Sequence, residues 1–229
     1  QMYRLLGQGE AAIQQGRDAY ETGQTHFGLT HPTTLQAAGV YGLSLLRSGK
    51  IAAADSLYRT VIPQTNTSEM TSAIRFSLLS KYGEVLRYRS QLDSAEVFLR
   101  QSLDAYDQME QPDTLGLTTA LSALGGVYRD QGRIEDAKEQ LQKALAVSEE
   151  SASEKLKPAV GTLIHNLATL HYQQGELDDA ERMYRRALRV SIALFGETSG
   201  DVAAVTTNLS RVLQLRGKTA EADSMSQRS

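Results

Sequence analysis

The chain repeats itself at an interval of about 42 residues, and this repeat constrains its architecture more than any other feature of the sequence. Residues 175–188, GELDDAERMYRRAL, correspond position by position to residues 132–145, GRIEDAKEQLQKAL. Weaker copies begin at Gly49, Ser90 and Gly217. Five residues after each start stands a marker alanine, and these are Ala54, Ala95, Ala137, Ala180 and Ala222. Their spacings of 41, 42, 43 and 42 residues indicate an array of similar structural units.

Each repeat has the pattern of two helices separated by a turn. Before the glycine, apolar residues recur three and four positions apart, as in Leu121, Leu124 and Val127, which is a helical period. Glycine adopts a left-handed conformation at little cost, so it ends the first helix. After it, apolar residues again share one face. The sequence therefore predicts an all-α protein with hairpins centred on Gly49, Ser90, Gly132, Gly175 and Gly217.

The repeats keep their spacing across the polar segments that connect them, so we expect one continuous array. The predicted boundaries give residues 1–30 to the second helix of a truncated repeat with its connector, followed by repeats at 31–68, 69–110, 111–154, 155–197 and 198–229. Ala12 stands 42 residues before Ala54 and marks the truncated repeat, whose unpaired helix is predicted over about residues 9–23. Because the chain begins with Gln1 and shows no signal sequence, we expect it to be a piece of a longer protein.

These units resemble the tetratricopeptide repeat (TPR), in particular the subgroup with longer helices that kinesin light chains typify. Residues 164–175, IHNLATLHYQQG, and residues 27–32, FGLTHP, are similar to that subgroup's pattern. The chain departs from it at Ser199-Gly200, where His-Pro would stand, and at His171, where Tyr would. The resemblance implies a right-handed α-solenoid of stacked hairpins. It also implies a docking or sensing module, since similar arrays are appended to many bacterial signalling proteins.

The charge balance argues against a polyanionic partner. The chain has 24 Lys and Arg against 27 Asp and Glu, a net charge of −3, so no global basic field attracts nucleic acid or an anionic membrane. There is no cysteine, which excludes disulfides and thiol chemistry. No apolar stretch approaches the roughly 18 residues of a membrane-spanning helix. The compartment stays open: the cytoplasm is favoured, and an extracytoplasmic part of a membrane signalling protein is the alternative.

No catalytic constellation is found in the sequence, neither a nucleophile with a base nor a phosphate-binding loop. We therefore predict no enzyme activity, no cofactor and no metal site. No pair of the four histidines has the helical spacing and acidic neighbour of a zinc site. His171 is expected in the core, and the acidic pairs Asp178-Asp179 and Glu149-Glu150 are expected to face water.

The binding surface of a helical array is expected along the first helix of each hairpin. Applying the family's pattern of buried and exposed positions predicts a peptide-binding groove with the following residues: Lys81, Arg87, Arg129, His165, Asn166, Tyr172, Asn208 and Arg211. Five basic and two acidic residues occupy the thirty groove positions, a local balance of +3. We therefore predict an extended acidic ligand, anchored by Arg87 and Arg129 through paired hydrogen bonds to carboxylates. Asn166 and Asn208 are expected to hold its backbone, because an amide both donates and accepts hydrogen bonds.

Three functions remain consistent with the sequence. The first is a non-catalytic scaffold that binds a protein or peptide segment. The second is a structural module that self-associates through its truncated N-terminal end, where a missing helix would expose apolar surface. The third is the regulatory part of an enzyme whose catalytic domain lies outside these residues.

Overall fold

The computed structural model describes residues 2–66, 71–111, 113–151, 154 and 157–226, and every regular element within them is helical. The α-helices are α1 (Met2–Phe27), α2 (Pro32–Arg47), α3 (Ile51–Val61), α4 (Ser72–Tyr88), α5 (Leu92–Tyr106), α6 (Thr114–Asp130), α7 (Ile134–Glu150), α8 (Lys157–Gln173), α9 (Leu177–Phe195), α10 (Gly200–Leu215) and α11 (Thr219–Ser226), with a 3-10 helix at Ile62–Asn66. The all-α prediction is confirmed. None of the helices in these ranges combines the length and the apolar character that crossing a membrane requires.

Five hairpins turn at the positions that the sequence predicts. The central residues have left-handed φ angles, +73° at Gly49, +58° at Ser90, +78° at Gly132, +77° at Gly175 and +74° at Gly217. In each turn the following N–H donates to a carbonyl five residues earlier, as from Glu176 to His171 at 2.9 Å. This is the Schellman arrangement, which satisfies carbonyls left open at the end of the first helix.

Helix α1 is longer than predicted. The expected helix covers about residues 9–23, whereas α1 runs Met2–Phe27 and stops only at Gly28, which has a φ of +85°. Its buried face packs on α2 so closely that a Cβ at Gly16 would lie 2.9 Å from the backbone of Tyr41. Ala12 is exposed, unlike the five other marker alanines, which are fully buried. The predicted repeat boundaries at residues 68–69 and 155 lie outside the described ranges.

The helices form two compact units, residues 1–113 and 114–229. Within each unit the hairpins pack tightly, because a small residue on the first helix faces a large one on the second. A Cβ added at Gly42 would lie 2.4 Å from the ring of Tyr58, and one at Gly83 would lie 2.5 Å from Leu99. Gly125 in the second unit meets Leu141 in the same way.

Ion pairs in which one partner is buried connect successive hairpins inside each unit. In three hairpins the residue after the marker alanine is charged, buried, and bonded to the turn of the next hairpin. Asp55 is 5% exposed and pairs with Arg89. Lys138 is 7% exposed, and its Nζ lies 2.8 Å from Oε2 of Glu176. Glu181 forms the third of these connections. Its carboxylate accepts hydrogen bonds from Arg216 and, at 2.9 Å, from Lys218.

Candidate functional site

In the first unit, three cations surround a carboxylate on the first helices of two adjacent hairpins, α2 and α4. We name Arg47, Lys81, Glu84 and Arg87 the basic cluster. Burial raises the pKa of Glu84, and the charges of Arg87, Arg47 and Lys81 oppose this rise. Arg47 is exposed, and the other three side chains are half-buried.

The cluster keeps a positive balance after its acidic neighbours are counted. Burial lowers the pKa of Lys81, whereas the charges of Asp113 and Glu84 raise it. The Lys81 ammonium also donates a hydrogen bond to Ser77. Three cations against two carboxylates leave one net positive charge when all five are ionised. Next to the cluster, the Tyr88 ring is 53% exposed and lies under the Arg87 guanidinium, 5.1 Å from its centroid.

Arg129, the other predicted carboxylate anchor, belongs to the second unit. Its Nη2 and Nε donate to one oxygen of Asp130 at 2.9 Å and 3.2 Å. A ligand carboxylate would therefore have to compete with an acidic neighbour that already occupies this guanidinium. The arrangement makes Arg129 a weaker candidate anchor than the sequence predicts.

In the second unit, polar residues predicted for the groove contact one another between α8 and α10. The Nδ2 of Asn208 lies 3.1 Å from Nε2 of His165. The imidazole packs edge-on against the Tyr184 ring at 5.5 Å, and the Tyr184 hydroxyl bonds to Thr169 at 2.9 Å. Burial lowers the pKa of His165, and the charge of Asp201 partly offsets it. The imidazole is thus held neutral at physiological pH, with one nitrogen engaged by Asn208.

These residues border a cleft of about 230 Å³, which we name the α8–α10 cleft. Its lining consists of Pro158, Gly161, Thr162, His165, Asn166, Ser191, Phe195, Asp201, Ala204 and Val205. The structure therefore brings together His165 and Asn166, with Asn208 bonded to the imidazole. Tyr172 and Arg211 lie further along α8 and α10 and are absent from the lining.

The groove prediction names two of the ten lining residues, His165 and Asn166, and the others include Ser191, Phe195 and Asp201. Ser191 and Phe195 come from the end of α9, and Asp201 comes from the first turn of α10. All three lie outside the first-helix positions on which the groove prediction rests. The signal that could have found Ser191 and Phe195 is the length of α9, which at 19 residues is longer than the second helices of the preceding hairpins.

A small group of potential metal ligands lies at the turn after α8. Ligand atoms of His171, Glu176 and Asp179 are all within 4.8 Å of one another. However, Glu176 bonds to Lys138 and to the His171 imidazole, and Asp179 pairs with Arg182 at 2.6 Å. Because each carboxylate already has a protein partner, the group is best described as part of the ion-pair network. His171 is half-buried there, with 14% of its side chain exposed.

The acidic pairs face water to different extents. Asp178 has 85% of its side chain exposed and Asp179 has 42%. Glu150 is exposed, while Glu149 is 38% exposed and pairs with Arg186.

The fold is shared with several solved TPR proteins. BtubC (BKLC) from P. vanneervenii superposes with a TM-score of 0.75 at 18% identity, covering 99% of this chain and 88% of that one. The kinesin light chain TPR-like repeats from Podospora anserina give a TM-score of 0.71 at 16% identity, covering 86% and 94%. Aspartyl phosphate phosphatase F from Bacillus subtilis gives 0.71 at 18% identity, covering 91% and 53%. At these identities the likeness concerns the fold.

Sequence comparison places the chain in a family. A comparison with curated proteins gives no match. The family described as the MalT-like TPR region matches residues 65–229, which is well over half of the chain. This agrees with the ~42-residue period, the glycine turns and the kinesin-light-chain-like neighbours. The chain therefore belongs to the MalT-like TPR region family and has a TPR-like α-solenoid fold.

Proposed function

We propose that this chain is a non-catalytic scaffold that binds an extended protein segment carrying carboxylates, with the basic cluster as the principal charged contact. A repeat fold of this type is suited to protein binding because its successive first helices form a long surface. The observation that supports an acidic ligand is the convergence of Arg47, Lys81 and Arg87 around Glu84. The remaining groove residues, in the second unit, would bind the same class of ligand through its backbone and uncharged side chains.

The chemistry of the cluster is suited to binding a carboxylate. The planar guanidinium of arginine donates two parallel hydrogen bonds to a carboxylate, which fixes its orientation. Arg47 is exposed at the end of α2 and can reorient toward a ligand. Tyr88 offers an exposed ring for an apolar or aromatic neighbour of the acidic residue.

A peptide-binding titration tests this proposal. Fluorescent peptides of equal length, rich in Asp and Glu, neutral, or rich in Lys and Arg, would be titrated with the full chain. We expect the acidic peptide to bind best, and its Kd to rise by roughly fivefold when Arg47→Gln and Arg87→Gln are combined, the loss of two partly exposed charged contacts. Arg75→Gln is the matched control, because Arg75 is exposed on the same helix α4 and lies outside the cluster.

The salt dependence of peptide binding is an independent test of the contact with the basic cluster. Raising the ionic strength shortens the Debye length, to roughly 8 Å at 0.15 M, so binding of the acidic peptide should weaken as salt is added. Preference for the basic peptide, or an acidic-peptide Kd unchanged in the double variant, would contradict the proposal.

The N-terminal helix supports a second candidate, self-association. In the other hairpins the face with the marker alanine is buried, whereas Ala12 on α1 is exposed. A second copy could cover this face of α1. Light scattering of the full chain, beside a version starting near His31, distinguishes the two: a single monomeric mass at all concentrations excludes self-association. The third candidate, a regulatory part of an enzyme, is tested by reading the full coding sequence for a catalytic domain outside these residues.

A further inference from the structure

The α8–α10 cleft differs in charge from the basic cluster. Asp201 is the one residue of fixed charge among its lining residues, and it is exposed at the rim. It forms no ion pair within the described residues. A carboxylate in a cleft whose described lining residues include no cation favours a positively charged group.

The uncharged polar groups of the cleft can also accept hydrogen bonds. Thr162 donates its hydroxyl hydrogen to the carbonyl of Pro158 at 3.4 Å, which leaves its oxygen lone pairs available. The Asn166 side chain is half-buried, and its amide bonds to no group in the described part of the chain. Its carbonyl oxygen therefore remains open to a donor.

Ser191 lines the cleft and, like Asn166, has a polar group without a partner within the described ranges. It is 3% exposed, and its hydroxyl makes no hydrogen bond to any described residue. The Ser191 oxygen is not among the fully buried polar atoms of the described residues that lack a partner, so the hydroxyl reaches the cleft and can bond to an occupant. This unpartnered hydroxyl, on a residue that is otherwise buried, is the observation that points to an occupant.

We propose that the α8–α10 cleft is a binding pocket for the cationic side chain of an arginine or lysine in a partner protein. A guanidinium offers five donors, which matches the acceptors of Asp201, Asn166 and Ser191. Phe195, 44% exposed, and Val205 provide apolar surface for the aliphatic stem. The volume of about 230 Å³ is below that of typical small-molecule sites, roughly 300–1,000 Å³, and is suited to one side chain.

This inference rests on the proposed function only in taking the ligand to be a protein segment. The basic cluster and the cleft then recognise side chains of opposite charge. The basic cluster is tested with an acidic peptide and the cleft with arginine and lysine probes, so either proposal can fail while the other holds.

The test uses the full ¹⁵N-labelled chain and capped tripeptides Gly-X-Gly, with X as arginine, lysine, norleucine or glutamate, in an NMR titration. We expect the arginine and lysine probes to shift the amide signals of residues 159–166 and 201–205. The norleucine probe has a lysine-like stem without the charge and should shift them much less. Equal shifts from norleucine or glutamate, or none from arginine, would overturn the proposal.

Two variants and a control connect the shifts to the named groups. Asp201→Asn should raise the Kd of the arginine probe by roughly fivefold, and Ser191→Ala by two- to threefold, the loss of one hydrogen bond. Ser191→Ala should leave the unfolding midpoint nearly unchanged, because the hydroxyl it removes has no partner in the free protein. Asp223→Asn, an exposed carboxylate on α11, should leave the Kd unchanged. If Asp201→Asn also left the Kd of the arginine probe unchanged, the assignment of the cleft as a site for a cationic side chain would be refuted.

Discussion

Glu181 illustrates how much a single buried carboxylate contributes to this fold. Burial would raise its pKa, but hydrogen bonds from Lys218, Arg185 and Arg216 outweigh that effect and lower the pKa to about 2. Because the folded pKa lies below the unfolded value, the ionised group stabilises the protein above about pH 4.5. That stabilisation is lost as the pH falls toward 2.

We predict that Glu181→Gln lowers the free energy of unfolding at pH 7 by about 3 kcal/mol, the equivalent of the pKa shift. Denaturant unfolding at several pH values checks this. The gap between wild type and variant should narrow as the pH falls from 5 to 2, since the wild-type carboxyl then also becomes neutral. Glu139→Gln removes an exposed pair with Lys143 and should change stability by less than about 0.5 kcal/mol. A gap that is constant over this pH range would contradict the assignment.

The partners in the ion pairs could not be predicted from the sequence one residue at a time. The fully buried positions Ala137 and Ala180 follow from the repeat alone, because every copy has alanine there. The charges beside them, at Lys138 and Glu181, differ in sign between copies and bond to partners 35 to 38 residues away. No local pattern specifies such a partner until the neighbouring hairpin is in place.

At the scale of one helical hairpin, Ser90 is the exception among the turns. Its φ of +58° is left-handed, a conformation in which a residue with a Cβ loses roughly 1 kcal/mol relative to glycine. We predict that Ser90→Gly raises the free energy of unfolding by about 0.5–1 kcal/mol, measured by denaturant titration.

The reciprocal change, Gly132→Ser, should lower it by a similar amount. A Cβ at Gly132 would meet no heavy atom within 4 Å, so the effect isolates the backbone conformation from packing. If the two substitutions shifted stability in the same direction, the turn would not be the source of the strain.

Helix and turn positions were predictable because both are specified locally, by a 3.6-residue period and a glycine. The C-terminal end of α1 was not, since residues 24–27 have no helix-stopping chemistry and the helix continues to Gly28. The cleft was not predictable either. It needs Ser191 from the end of one helix and Asp201 from the start of the next, and the repeat pattern assigns neither to a binding surface.

At the scale of the whole molecule, the second compact unit contains its own core and two of the interhairpin ion pairs. We predict that residues 114–229 expressed alone are helical and unfold cooperatively, because repeat proteins are stabilised by nearest-neighbour contacts. Their urea m-value should be about half that of the full chain, in proportion to the surface exposed. Circular dichroism with urea titration checks this, and a fragment without helical signal would show that the unit depends on residues 1–113.

The alternation of charge along the buried ion pairs restricts how the array could be rearranged. Lys138 faces Glu176, the residue after the glycine of the next turn. An in-frame duplication of α6–α7 would instead put Lys138 opposite a second copy of Arg133, because Arg133 follows the glycine of its own hairpin. Duplicating α8–α9 would likewise set Glu181 against a second Glu176. A buried charge that faces a like charge opposes packing of the two hairpins, so these hairpins are not interchangeable. Unequal recombination between their coding segments would yield an array with a destabilised interface.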